Sequence, residues 1–188
     1  MSSNPVHMPR LRLAGVLLAC CLTVLALLSA TAMAGTGGTG GTGGPEPTVT
    51  GSKAKLRHGL AIAPEKAPWR VKRVIAAANK IAKGHGYCNG GGYSSWKSPC
   101  YDCSSAVSYA LHGGHLINQA MPPPSLMRWG KRGHGKWISV YANSGHAWMK
   151  IAGLRFDTAD TRGAGPGWAK GMGWESSQSY ATRHRSRF

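Results

Sequence analysis

Carboxylates are scarce in this chain: six Asp and Glu stand against 23 Lys and Arg in 188 residues. No pair of carboxylates or histidines recurs at i, i+4 inside a predicted helix, and Cys100-x-x-Cys103 has no second pair to complete four ligands. A metal centre is therefore not expected, and nothing else in the sequence asks for a cofactor. Long apolar stretches are lacking as well. The one sustained run, Leu13 to Leu28, is shorter than the ~20 residues a spanning helix needs.

That run has the marks of a leader. Arg10 and Arg12 precede it, and Ala32 and Ala34 supply the small residues of a signal-peptidase site, so residues 1–34 are expected to be a signal peptide cleaved after Ala34. Leu17-Leu18-Ala19-Cys20 looks like a lipobox, but Cys20 lies mid-run with more apolar sequence after it. Losing Arg10 and Arg12 while keeping every acid leaves a charge of about +15. Such a field favours anionic partners, and for an exported, monomeric chain these are polymers of the cell envelope, with at most peripheral membrane contact. Nucleic acid is not expected, because the basic residues are scattered and not set in a stripe with stacking aromatics.

Residues 35–44 repeat Gly-Thr-Gly-Gly, and residues 45–68 carry Pro45, Pro47, Pro64 and Pro68 among lysines without a countable apolar period. Both read as flexible linker, which places the folded domain at residues 69–188. Its first element is a helix from Arg70 to Lys83, with Val71, Val74, Ile75, Ala78, Ile81 and Ala82 at three- and four-residue spacing. A second helix starts at Cys103, capped by Asp102, with Ala106, Val107, Ala110 and Leu111 as its apolar stripe and Gly113-Gly114 as its stop. Pro122-Pro123-Pro124 reads as a rigid loop.

A cysteine in a first helical turn lies beside unpaired backbone N–H groups at the positive end of the helix dipole, which favours a thiolate. After the leader is removed three cysteines remain, an odd number. Two partitions are open. A Cys88–Cys100 bridge staples a Gly/Ser-rich loop and leaves Cys103 free to react. A Cys100–Cys103 bridge makes a redox pair, but without the preceding strand and apolar setting of a thioredoxin-like motif, which favours the first.

Downstream the period becomes two. Lys136–Ala142, His146–Ile151 and Leu154–Ala159 read as strands, with Asn143-Ser144-Gly145 and Ala152-Gly153 as turns, and Ser179–Arg185 reads as a last strand. An even-length loop at Ala152-Gly153 sets Met149 opposite Phe156 and Trp148 opposite Asp157. His146 and Asp157 then share one sheet face as diagonal neighbours roughly 7–8 Å apart. Asp157 is thereby the candidate to orient the ring of His146 toward the Cys103 thiol, with Asp160 a nearby substitute. The Gly/Trp-rich residues 160–175 read as an irregular segment at the sheet edge or lining a groove.

At these residues the chain resembles the NlpC/P60 family of cell-wall cysteine peptidases. The resemblance is carried by Asp102-Cys103-Ser104 opening a helix with Val107 following, Gly145-His146 at a strand start, and Tyr87 with Gly90-Gly91, and it covers about Val71 to Thr158. It implies an α+β, papain-like core with helices packed on an antiparallel sheet. Cys103 would be the nucleophile, His146 the base, and Tyr87 a group that helps place substrate or its oxyanion. It also implies hydrolysis of amide bonds in peptidoglycan stem peptides, often between D-glutamate and the diamino acid. Three departures stand out. Asp157 occupies a third polar position where His, Asn or Gln is usual, Ser105 stands where Gly is common, and a Cys88–Cys100 pair is not a general feature of the family. A cysteine amidase or acyltransferase using the same pair, and a non-catalytic wall-binding module stapled by its cysteines, are the other readings.

Overall fold

Three short strands occupy residues 48–64, in the region expected as linker: β1 (Thr48–Val49), β2 (Lys55–Arg57) and β3 (Leu60–Pro64). In the computed structural model, which describes residues 46–159, 161, 165–171 and 178–188, they form a sheet in the order β1-β3-β2. The linker expectation fails here because the buried face is made of alanines: Ala54, Ala61 and Ala63 are buried while Leu60 and Ile62 are only half covered. Small residues bury little area each, so their period is faint in a sequence. The β2–β3 hairpin turns through His58 and Gly59, both at positive φ (48° and 79°), the conformation of a two-residue type I′ turn. The leader, its cleavage site, Cys20, the Gly/Thr repeat, Pro45 and Asp160 lie outside the described residues, as does part of the Gly/Trp segment.

The first expected helix is α1 (Trp69–Ala82), burying Val71, Val74, Ile75, Ala78 and Ile81. One side chain on it ties three segments together. Asn79 accepts from Ala61 N (3.0 Å), donates to Ala61 O (2.8 Å), and takes the indole N–H of Trp168 on Oδ1 (2.9 Å). Then follow β4 (Gly86–Tyr87) and β5 (Cys100–Tyr101), a parallel two-residue pair, and α2 (Cys103–Gly113). The proline loop contains a single turn of helix, α3 (Pro123–Leu126), because proline is at home in a first helical turn.

The remaining strands are β6 (Lys131–Arg132), β7 (Ile138–Ala142), β8 (Ala147–Ile151), β9 (Leu154–Asp157), β10 (Gly167–Ala169) and β11 (Ala181–His184). They make an antiparallel sheet in the order β10-β9-β8-β7-β11-β6. Ile138, Val140, Met149, Ile151, Leu154 and Phe156 join the buried faces of α1 and α2 in one core. The architecture is α+β. Within the Gly/Trp segment, β10 pairs along β9 and sets Trp168 opposite Phe156, so that part of it is regular structure. Among the described residues no helix is long and apolar enough to cross a membrane.

Gly113 and Gly114 do more than end α2. Gly114 has φ −86°, so no left-handed conformation is involved. A Cβ there would lie 2.3 Å from Val74 Cγ2, and one on Gly113 would lie 2.3 Å from Ala77 Cβ. The two glycines let α2 close on α1, and because α2 carries Cys103 at its other end, this contact also sets where the cysteine sits. Gly114→Ala is expected to overpack this junction and cost about 1–3 kcal/mol in chemical denaturation.

Candidate active site

The first turn of α2 is fixed by a reciprocal cap. Asp102 is extended (φ −83°, ψ −178°); its Oδ1 accepts from Ser105 N at 2.8 Å, and Ser105 Oγ accepts from Asp102 N at 3.0 Å. Two orphan donors at the helix start are satisfied at once. Ser105 thus supplies the second half of the cap, which a glycine at that position could not. Ser104 Oγ donates to Asp102 Oδ1 at 3.3 Å, and its hydroxyl is hydrogen-bonded to that of Tyr93.

Cys103 is buried and unbridged, while Cys88 and Cys100 form a disulfide with Cα atoms 5.5 Å apart. Of the two partitions read from the sequence, the first is observed. The stapled loop is further fastened: Trp96 stacks on His112 of α2 at 4.1 Å and 7°, and Tyr101 Oη of β5 donates to Trp96 O at 2.7 Å.

His146 enters from the β7–β8 turn. Asn143 Oδ1 accepts from both Gly145 N (2.9 Å) and His146 N (2.8 Å), which pins the backbone just before β8. Across the next turn Ala152 and Gly153 both have positive φ (47° and 92°), again the I′ geometry, so Met149 pairs with Phe156 as the even-loop argument requires. His146 and Asp157 accordingly share a face, and His146 Nε2 donates to Asp157 Oδ1 at 2.9 Å. The Cys103 thiol is a second hydrogen-bond partner of the ring.

Asp157 is buried and well supported. Its Oδ1 also accepts from Thr158 N (2.6 Å) and Ala159 N (3.2 Å), and Arg155 Nε lies 4.0 Å from Oδ2. Such bonds offset the cost of burying a carboxylate. For His146, burial by itself would lower the pKa. The hydrogen bonds to Asp157 and Cys103, together with the charges of both, outweigh it and raise the ring from 6.5 to about 9. The arrangement therefore favours an imidazolium beside the Cys103 sulfur at neutral pH.

No family model matches this chain, and no curated protein matches it at a significant level. The chemistry is read from the geometry.

Tyr87 is half exposed on β4; burial first, and then the proximity of Cys103 and Asp102, raise its phenol above 10. Tyr93 carries no motif or periodic signal in the sequence, yet the same neighbours act on it. Burial raises its phenol, the Ser104 hydrogen bond lowers it, and Asp102 and Cys103 raise it further. It sits in a Gly/Ser-rich loop without period, and only the bridge that closes this loop hinted that it returns to the site. Trp148, opposite Asp157 by register, is 1% exposed, with Tyr141 stacked on it at 3.9 Å and Tyr180 edge-on at 6.0 Å.

Because the folded His146 titrates above its unfolded value, its bonds stabilise the fold fully below about pH 6.5, and that contribution is lost as pH rises through about 9. Thermal midpoints measured from pH ~6 to ~10 should fall across this window. Asp157→Asn, which removes the principal partner of the imidazolium, should flatten the fall.

Proposed function

We propose that this protein is an exported cysteine peptidase that hydrolyses amide bonds in peptidoglycan stem peptides. Cys103 is the nucleophile, His146 the general acid and base, and Asp157 the group that orients the ring. The observation that carries the reading is the continuous line from the unbridged Cys103 thiol through the His146 ring to Asp157 Oδ1 at 2.9 Å. It supports a papain-like, NlpC/P60 type of core, in which the helix bearing the cysteine packs against the strands bearing the other two groups. The Cys88–Cys100 disulfide supports an oxidising compartment. An unbridged, histidine-paired thiol also speaks against a module whose cysteines serve only as staples.

The reaction follows from the protonation states. The Cys103 sulfur attacks the scissile carbonyl carbon, a C–S bond forms, and the carbonyl oxygen becomes an oxyanion. The backbone N–H of Cys103 and the hydroxyl of Tyr87 or Tyr93 are the donors at hand to stabilise it. Collapse breaks the C–N bond as the imidazolium protonates the leaving amine. Neutral His146 then takes a proton from water, which attacks the thioester, and the new carboxylic acid leaves with the thiol restored. The bond between D-glutamate and the diamino acid is the proposed point of cleavage.

The mature protein should release new amine termini from purified peptidoglycan. Cys103→Ala should cut the rate by more than about 10³-fold with an unchanged circular dichroism spectrum. Undiminished release by that variant would remove the mechanism. In the active enzyme kcat/KM should fall on the alkaline side with an apparent pKa near 9, as the imidazolium is lost. Mass spectrometry of the products separates hydrolysis from acyl transfer or amidase cleavage of another bond.

A further inference from the structure

Away from Cys103 an open groove of about 1160 Å³ lies between α1 and the β1–β3 sheet. Arg57, Lys72, Arg73, Lys80 and Lys83 line it, with Glu46 as the single acid. None of these five cations makes an ion pair among the described residues. Half-buried Leu60 and Ile62 form part of its wall, so the charges border apolar surface and not open water alone. A concave, low-dielectric wall focuses the field of charges set around it.

The helix provides the ruler. Lys72, Arg73 and Lys80 share one face of α1, Lys83 is its C-cap, and Lys72 to Lys83 spans about 16 Å at 1.5 Å per residue; Arg73 Nε also donates to Gly113 O at 3.1 Å. A row of that length suits an extended chain carrying several anionic groups better than a single small anion. Lysine ammoniums act as point charges and suit phosphate oxygens without demanding a fixed geometry.

We propose that this groove binds a linear phosphodiester polymer of the cell envelope, holding the enzyme at the wall while the Cys103 site, which is separate from it, works on stem peptides. The choice of an envelope polymer rests on the function proposed above, whereas the groove's affinity for a polyphosphate chain does not. The two are therefore tested by different readouts.

Binding of the mature protein to poly(glycerol phosphate) is measured by titration calorimetry, alongside a single-stranded oligonucleotide of matched phosphate number and vesicles containing phosphatidylglycerol. Poly(glycerol phosphate) is expected to bind best, with affinity falling roughly 10²-fold between about 50 and 200 mM salt for some five contacts. The triple variant K72Q/K80Q/K83Q should weaken binding at least tenfold and reduce the logarithmic salt slope by about 2. A control triple of equal charge change, K53Q/K136Q/K150Q, alters the lysines of a different cavity and should bind nearly as the parent does. Both triples should cleave a soluble stem peptide at the parental rate. Equal weakening by the two triples would overturn the groove and leave net charge as the cause. Tighter, groove-dependent binding of the oligonucleotide or the vesicles would overturn the proposed occupant. Loss of peptide cleavage with polymer binding intact would count against the hydrolase reading alone.

Discussion

The candidate site depends on strand register. Asp157 meets His146 only because the two-residue turn at Ala152 and Gly153 pairs Met149 with Phe156, which leaves the histidine and the carboxylate on one face. Side chains alternate with period two, so a slip of one residue would carry Asp157 to the opposite face and leave a buried carboxylate without its support. In the observed register one oxygen receives the imidazole and two backbone N–H groups, with Arg155 beside the other. The same bonds that make burial of the carboxylate tolerable also hold the ring in one orientation.

The sulfur is positioned from the other side of the core. The position of α2 is set by its close passage against α1 at Gly113 and Gly114, and its first turn is held by Asp102 and Ser105. The disulfide-closed loop adds a third fixed edge, carrying Tyr93 onto Ser104 and clamping itself to the helix through Trp96. Helix, sheet and loop thus each contribute one wall, and each is tied down by contacts that do not involve the reacting atoms. Such contacts hold the Cys103 sulfur and the His146 ring in one fixed arrangement.

Much of this frame was legible because it rests on strong local signals. The apolar period of α1, the Asp-Cys-Ser cap of α2, the change to period two and the parity of the Ala152-Gly153 loop each follow from residue type and spacing, and the His146–Asp157 pairing follows from the last of them. The β1–β3 sheet was hidden because its inner face is alanine and its turn is the less familiar His58-Gly59. The two-residue β4–β5 pair is too short to carry a period, and α3 is a single turn among prolines. Tyr93 and the capping role of Ser105 are silent in the sequence for another reason. Their roles are contacts across a loop and within a cap, and such contacts have no periodic signature.

Asn79 makes a single amide the shared fastening of three segments. Its amide donates to Ala61 O and accepts from both Ala61 N and the Trp168 indole, so β3, α1 and β10 share one side chain. Deamidation there would turn the donor facing Ala61 O into a second acceptor, setting oxygen against oxygen while adding a negative charge beside the lysine-lined groove. One spontaneous hydrolysis would then loosen the N-terminal sheet and the edge of the main sheet together, without altering any residue that touches Cys103.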